Sequence, residues 1–157
     1  MVSEMDEGII RLANALDTED MIGFTRAFVE DFKTGRNCVN RELLPWIEDI
    51  DKGWTGVLCL GMGGSAAGGD FLATLCDHKG AVPVRCHRGY DIPSWWTPDW
   101  LVISTSYSGN TEETLSSTVQ AMDMGATVVV IASGGELAGL SESVSYTHLT
   151  LPTMDSV

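Results

Sequence analysis

Two stretches of the sequence combine glycines with hydroxyl side chains, and the second is the richer in groups that could bind a ligand. STSYSGNTEETL, residues 104–115, supplies five serine or threonine hydroxyls up to Thr111, together with the phenol of Tyr107. Asn110 and Glu113 also have the spacing of a helix capping box. A plain helix cap needs only one hydroxyl or amide. This density therefore indicates that the stretch binds a ligand.

The other stretch, LCLGMGGSAAGGDFL at residues 58–72, runs from an apolar segment into a helical pattern. Glycine inside a helix or strand costs about 0.5–1 kcal/mol relative to alanine, so a cluster of glycines needs a reason. Gly63 and Gly64 would let a ligand approach the backbone closely, and Ser65 adds a hydroxyl. A helix N-terminus favours an anion. The structural alternative is a tight turn in which Ser65 caps the helix.

A dinucleotide site is the rival functional interpretation of this glycine stretch. Residues 61–66 match the G-x-G-x-x-[G/A] fingerprint between a strand and a helix. That fingerprint also requires an acidic residue about 20 positions later, at the end of the second strand. Here the second predicted strand ends in Cys86, His87 and Arg88, and Asp91 follows too late. The sequence therefore favours a different anion.

The charge distribution limits how such an anion can be held. Nine basic and twenty-two acidic residues give a net charge of −13, which argues against nucleic-acid and anionic-membrane partners. No lysine or arginine follows Arg88. An anion bound by the second half of the chain must therefore be held by backbone N–H groups, hydroxyls and helix dipoles. A phosphate monoester gripped by two helix N-termini fits that set of donors.

The pattern from Trp54 onward alternates short apolar runs with amphipathic segments. We predict strands over 56–60, 82–86, 101–105 and 127–132, helices over 65–76 and 112–124, and a short helix within 134–145. Continuously apolar strands separated by helices imply a parallel sheet covered on both faces. Ligands of such sheets bind beyond the carboxyl ends of the strands. The tryptophan-rich loop GYDIPSWWTPDW, between the second and third strands, is predicted to pack locally.

The preceding part of the chain, residues 1–53, is predicted to be a helical arm. Asp17 or Thr18 could cap its second helix, with Glu19 and Asp20 in the first turn. Apolar residues at helical spacing in this arm are expected to be core; those of the second helix are Met21, Phe24, Phe28 and Phe32. Asn40 could cap a further short helix.

The four cysteines and the N-terminus bear on the compartment. Cys38, Cys59, Cys76 and Cys86 show no C-x-x-C spacing, so we expect buried reduced thiols and no metal site. The N-terminus is acidic, unlike a secretory signal, and no apolar run approaches the ~18 residues of a membrane span. A cytoplasmic location is the expectation.

The ordered pair GMGGSAAGGDFL and STSYSGNTEETL, about forty residues apart, resembles the two signatures of the sugar isomerase (SIS) domain family. The forms G-M-G-G-S and SYSGNTEET resemble one branch, the bifunctional phosphoglucose/phosphomannose isomerases, and the match corresponds to the N-terminal half only. The resemblance implies a three-layer α/β/α SIS domain with a parallel sheet over residues 54–145. It also implies that Ser106, Ser108 and Thr111 bind phosphate, while Gly63, Gly64 and Ser65 contact the sugar.

The activity implied by the resemblance is interconversion of glucose 6-phosphate or mannose 6-phosphate with fructose 6-phosphate through an enediolate. It needs no metal or organic cofactor, and it belongs to glycolysis and gluconeogenesis. The family's glutamate base, histidine and lysine lie in the second half, so this chain alone is expected to bind without catalysing. The full protein is expected to be a homodimer.

No catalytic role is expected for the acidic and histidine side chains of this part of the chain. Glu112 and Glu113 have the positions of ordinary helix-dipole partners, and His78 and His87 are expected to be structural or solvated. The alternatives are a non-enzymatic SIS sensor of sugar phosphates and, with less support, a dinucleotide-binding domain.

Residues 146–157 depart from the pattern of alternating apolar runs and amphipathic segments. The segment YTHLTLPT is similar to a translated sequencing-adapter remnant, and the physical alternative is a short C-terminal strand.

Overall fold

The computed structural model describes residues 4–38, 53–80, 82–143 and 148–150. The chain divides into two compact units, Met1–Asp51 and Lys52–Val157. The short helix that we predicted after Asn40 lies outside the described residues. No helix among those described is long and apolar enough to cross a membrane.

The first unit contains two described helices, α1 (Glu4–Leu16) and α2 (Met21–Cys38). The Asp17 carboxylate accepts hydrogen bonds from the N–H groups of Met21 (2.6 Å) and Ile22 (2.8 Å). The predicted cap of α2 is therefore confirmed at Asp17. Glu19 and Asp20 precede the helix, so their predicted place in its first turn was wrong.

We predicted that the aromatic stripe of α2 would be buried in a core, and this prediction was wrong. Phe24 is 61% exposed, Phe28 64% and Phe32 50%. The rings of Phe28 and Phe32 lie 6.4 Å apart between centroids. Helical spacing correctly indicates that these side chains share one face, but it carries no information about what covers that face.

The second unit is a five-stranded parallel sheet in the order β2-β1-β3-β4-β5. Its elements in chain order are β1 (Val57–Leu60), α3 (Gly63–Lys79), β2 (Val84–His87), β3 (Leu101–Ser106), α4 (Glu112–Asp123), β4 (Val128–Ala132), α5 (Gly135–Ser143) and β5 (His148–Thr150). The predicted α/β fold with a parallel sheet is confirmed. The extra strand, β5, is the short strand that the sequence allowed in its last residues.

Helices cover both faces of the sheet. Leu58 and Leu60 of β1 belong to a buried cluster that includes Ala121 of α4 and Leu137 of α5. Cys59 points to the opposite face, since side chains alternate along a strand, and it lies against Gly69 of α3. A Cβ atom added to Gly69 would be 2.7 Å from the Cβ of Cys59, so only glycine allows α3 to pack this closely.

Cys59, Cys76 and Cys86 are free thiols, as expected, although two of the three are not fully buried. Cys59 is buried, and Cys76 and Cys86 are half-buried. Burial, together with the neighbouring thiols and Asp70, raises the pKa of Cys59 to about 12. Burial is also the main cause of the raised pKa of Cys86. Both groups are therefore unreactive neutral thiols at ordinary pH.

Two of the three tryptophans in the tryptophan-rich loop pack against the domain, as predicted, and the third is exposed. Trp96 is 3% exposed and belongs to the core cluster. Trp100 is half-buried, and a Cβ atom on Gly56 would come within 2.6 Å of its ring. Trp95 remains 55% exposed, with its ring 5.4 Å from that of Trp100. Trp96 and Trp100 therefore hold the loop against the domain.

Candidate functional site

The strand order places the two motif-bearing loops side by side. Strand β1 lies between β2, which the chain reaches through α3, and β3. Leu60 of β1 is in register with Ser104 of β3, so both strands end at the same edge of the sheet. A Cβ atom on Gly61 would lie 3.0 Å from the carbonyl oxygen of Thr105. This edge is the topological switch point where parallel α/β domains bind ligands.

We call residues 106–111 the second loop, and its hydroxyls are organised by hydrogen bonds within the loop. Ser106 is 2% exposed; its Oγ lies 3.0 Å from the Oγ1 of Thr111 and accepts the Gly109 N–H at 3.1 Å. The Ser108 Oγ accepts the Asn110 N–H at 3.3 Å. The structure thus brings the three predicted phosphate residues of this loop together, with Ser108 exposed and Ser106 internal.

A third loop, defined as residues 133–137 between β4 and the first turn of α5, contacts the second loop and was not predicted from the sequence. The Asn110 Oδ1 accepts the N–H of Glu136 at 3.0 Å, and the Gly109 carbonyl accepts the N–H of Leu137 at 2.9 Å. Asn110 therefore caps α5, and the predicted capping box on α4 was wrong. A signal was available: Gly134 and Gly135 directly follow the apolar strand TVVVIAS.

We call residues 61–65 the first loop, and it is more open than the second. No atom lies within 4 Å of a Cβ added to Gly63 or Gly64, and Gly63 has a φ of +51°, which favours glycine. Helix α3 begins at Gly63, with Met62 as its N-cap residue. The alternative role of Ser65 as the cap is therefore wrong. The half-buried Ser65 hydroxyl makes no hydrogen bond to any residue that the structure describes.

Two helix N-termini at this edge lack the side-chain caps that α2 and α5 have. Neither α3 nor α4 has a side-chain cap at its N-terminus. In contrast, α2 is capped by the Asp17 carboxylate and α5 by Asn110 and the Gly109 carbonyl. An uncapped helix start leaves N–H donors and a partial positive charge. The two uncapped starts lie beside the two motif loops, where an anion could take the place of the caps.

Beneath the second loop, a buried hydroxyl pair joins α4 to β3. The Ser104 Oγ and Thr118 Oγ1 lie 2.6 Å apart, and both side chains are 0% exposed. Thr118 also donates to the carbonyl of Thr114 at 2.5 Å. Ser104 is thus used in the domain interior and not at the site. The Ser104–Thr118 hydrogen bond therefore joins the middle of α4 to β3.

Charged groups around the loops are arranged asymmetrically. Arg88, directly after β2, forms an ion pair with Asp70 of α3, and this hydrogen bond lowers the pKa of the Asp70 carboxyl. Glu112 and Glu113 lie in the first turn of α4. The described residues contain no cluster of three or more His, Cys, Asp or Glu side chains that could hold a metal ion. The donors that the two motif loops themselves supply are hydroxyl and N–H groups, which carry no formal charge.

Tyr90 brings a further hydroxyl to the same edge. It lies in the loop after β2, and its phenol donates a hydrogen bond of 3.3 Å to Oε2 of Glu112. The negative charge of Glu113, followed by burial and the charge of Glu112, raises the pKa of Tyr90. Tyr90 therefore stays a neutral donor at physiological pH.

The parallel sheet, its switch point and the paired loops define a domain of the sugar isomerase (SIS) type. The chain is 42% identical over 106 residues to a bifunctional phosphoglucose/phosphomannose isomerase of Caldicellulosiruptor bescii, covering 68% of this chain and 30% of that relative. It is 39% identical over 94 residues to the Aquifex aeolicus protein of the same name, covering 57% of this chain and 29% of that relative. The predicted resemblance is thus confirmed: over part of its length, this chain is a homologue of the bifunctional phosphoglucose/phosphomannose isomerases.

A relative with a different activity is also similar. The D-glucosamine-6-phosphate 4-epimerase of Sulfolobus acidocaldarius is 33% identical over 117 residues, covering 74% of this chain and 35% of that protein. The chain thus spans about a third of the length of the curated relatives it matches. A scan against models of known protein families finds no match.

Solved structures confirm the fold. Tagatose-6-phosphate ketose/aldose isomerase of Escherichia coli superposes with a TM-score of 0.60 at 21% identity, covering 76% of this chain and 35% of that chain. The Vibrio vulnificus NanR protein, solved in complex with ManNAc-6P, gives 0.56 at 16% identity, covering 94% of this chain and 56% of that chain. At these identities the structures establish the α/β architecture alone.

Proposed function

We propose that the two loops bind a hexose 6-phosphate. The observation that carries the proposal is the pair of uncapped helix N-termini, α3 and α4, at one sheet edge in a domain that caps α5. A phosphate dianion satisfies such orphan N–H groups and interacts favourably with the helix dipole. The chain offers no lysine or arginine after Arg88 to do this instead.

The residues proposed to bind are those predicted from the motifs. Ser106, Ser108 and Thr111 would donate hydroxyls to the phosphate at the start of α4. The sugar would extend toward the first loop, where Gly63 and Gly64 leave open space and Ser65 has a hydroxyl that makes no hydrogen bond to the described residues. The two loops emerge next to each other, so one phosphosugar could contact both.

The reaction is proposed for a longer protein, of which this chain would supply an N-terminal part. Its curated relatives are named for isomerisation of phosphoglucose and phosphomannose and, in one case, for epimerisation of glucosamine 6-phosphate. A sugar phosphate is common to these names, which favours phosphosugar binding as the shared function. We propose the aldose–ketose isomerisation, because the relative with the highest identity given above carries that name. A homodimer in the cytoplasm, acting in glycolysis and gluconeogenesis, completes the proposal.

The binding proposal is tested by calorimetric titration of the 157-residue chain with fructose 6-phosphate, and with NAD in a parallel experiment. We expect heat of binding with the sugar phosphate and none with NAD. The double variant Ser106→Ala with Ser108→Ala should bind at least about tenfold more weakly, since two hydroxyl donors to an anion are lost. Binding of NAD but not of fructose 6-phosphate would instead support a dinucleotide domain.

A matched control separates loss of hydroxyls from general effects of serine replacement. Ser94→Ala changes an exposed serine of the tryptophan-rich loop and should leave the affinity unchanged. If Ser94→Ala and the double variant weaken binding equally, or if neither does, the second loop is not the phosphate site. In the same preparation, rapid isomerisation of glucose 6-phosphate would contradict the expectation that this chain binds without catalysing.

A further inference from the structure

Tyr90 lies outside both motif loops, yet the structure fixes its position with hydrogen bonds from α4. The Gln120 Nε2 donates to the Tyr90 carbonyl at 2.7 Å, and the Gln120 Oε1 accepts the Ile92 N–H at 3.3 Å. Trp96, further along the same loop, is buried in the core. The backbone that carries Tyr90 is therefore held against α4 at two points.

The phenol of Tyr90 meets the first residue of α4. Its hydroxyl lies 3.3 Å from Oε2 of Glu112, which directly follows the proposed phosphate ligand Thr111. The ring is 50% exposed, so it lies at the rim of the proposed site and not in the core. The distance is long for a bond between a hydroxyl and a carboxylate, which limits the size of the effect that it can have.

Glu112 presents a problem for any anion that binds here. A carboxylate in the first helical turn interacts favourably with the helix N-terminus, and it can accept hydrogen bonds from the same N–H groups that a phosphate needs. A free Glu112 side chain would therefore compete with the phosphate, both by occupying donors and by repulsion. A bond that draws this carboxylate to the side would reduce the competition.

We propose that Tyr90 is a positioning residue for the phosphate site, holding the Glu112 carboxylate beside α4 and away from the helix N–H groups. The inference rests on the proposed function, since it concerns the affinity of that same site. Tyr90 acts through Glu112 and need not touch the ligand. Removing its hydroxyl should weaken binding only while Glu112 carries a charge.

The test is a double-mutant cycle on the 157-residue chain, with fructose 6-phosphate affinity measured by calorimetry. Tyr90→Phe should weaken binding about two- to fivefold, the range expected for a charge at a helix N-terminus. Glu112→Gln should strengthen binding by a similar factor, and Tyr90→Phe should then have no effect in the Glu112→Gln background. Unchanged affinity in Tyr90→Phe alone would overturn the inference.

Glu113→Gln is the matched control, because it removes the same charge from the same turn but leaves the partner of Tyr90 in place. Tyr90→Phe should keep its effect in that background. An equal loss from Tyr90→Phe with and without Glu112→Gln would overturn the positioning role, since Tyr90 would then act directly on the ligand. Absence of binding by the unmodified chain would overturn the proposed function itself, and this inference with it.

Discussion

The first and second loops leave the same sheet edge and each opens a helix, but they are built differently. The second loop is braced: Ser106 bonds to Thr111 and to Gly109, and the third loop bonds to Gly109 and Asn110. The first loop has open space at Gly63 and Gly64. Under the proposed function, the second loop is preorganised for the phosphate group, whereas the first leaves room for the sugar.

Preorganisation has a physical basis in this comparison. A loop that is already held in one conformation by its own hydrogen bonds loses little conformational entropy when an anion binds. Phosphate has one shape, so a fixed set of donors suits it. The start of α3, in contrast, has open space at Gly63 and Gly64.

The largest effect that separates the loops should come from their glycines. Gly109 has a φ of +68°, and a Cβ atom there would lie 1.7 Å from the carbonyl oxygen of Gly134. Gly109→Ala should therefore lower the free energy of unfolding by about 3 kcal/mol or more, through backbone strain and steric overlap. Gly64→Ala should change it by no more than about 1 kcal/mol, because its Cβ meets open space.

Urea unfolding of both glycine variants, followed by circular dichroism without ligand, measures this difference. Equal stabilities for Gly109→Ala and Gly64→Ala would contradict the claim that the second loop is braced by the third. A large loss in Gly64→Ala would contradict the openness of the first loop.

The serines of the two loops should differ by a smaller amount. Ser106→Ala removes one of the two acceptors of the Gly109 N–H, since the Ser106 carbonyl remains, and it removes the partner of Thr111. It should therefore lower the free energy of unfolding by about 1–2 kcal/mol. Ser65→Ala should cost less than about 0.5 kcal/mol, because its hydroxyl makes no bond to the described residues. Thermal denaturation of both variants, alone and with fructose 6-phosphate, separates stability from binding.

Each serine variant is expected to bind the sugar phosphate more weakly. Only Ser106→Ala should also lower the free energy of unfolding of the protein without ligand. Loss of stability in Ser65→Ala equal to that in Ser106→Ala would show that the first loop is braced as well. The comparison between the loops would then fail, while the binding proposal would remain.

The smallest expected effect concerns the ion pair that joins α3 to the residue after β2. The hydrogen bond from Arg88 lowers the pKa of Asp70 below its usual value of 3.8. Because the folded-state pKa is the lower one, the ion pair stabilises the protein above pH 3.8, and this contribution is lost as the pH falls through the folded-state value. Both side chains are partly exposed, so the contribution is small.

Unfolding of the unmodified chain and of Asp70→Asn at pH 7 and at pH 3 tests this pair. The difference in stability between them should be larger at pH 7. Asp77→Asn is the matched control, because its carboxylate lies 3.9 Å from Arg85 without a hydrogen bond. If the free energy of unfolding depends equally on pH in Asp70→Asn and in the unmodified chain, the ion pair does not contribute to stability.

Much of the second unit could be predicted from the sequence because its signals are local. The apolar runs VLCL and VVVIA predict β1 and β4, and the motif loops predict where α3 and α4 begin within about two residues. The α2 cap could be predicted because Asp17 lies four residues before Met21. In each of these cases the decisive residues are near one another in the chain.

The features that could not be predicted depend on residues far apart in the sequence. Asn110 caps a helix 26 residues later, so its short-range pattern with Glu113 suggested the wrong partner. The Tyr90–Glu112 bond spans 22 residues and depends on the order of the strands. The exposure of the aromatic stripe of α2 could not be predicted for the same reason. Helical spacing shows that the side chains share one face, but not what that face contacts.

We propose that the first and second loops together form one phosphosugar site. Titration of the isotope-labelled 157-residue chain with fructose 6-phosphate, followed through backbone amide shifts by NMR, tests this proposal. We expect the largest shifts on residues 63–65 and 106–113, and we expect inorganic phosphate to shift only residues 106–113. Shifts confined to other parts of the chain, or none at saturating ligand, would contradict it.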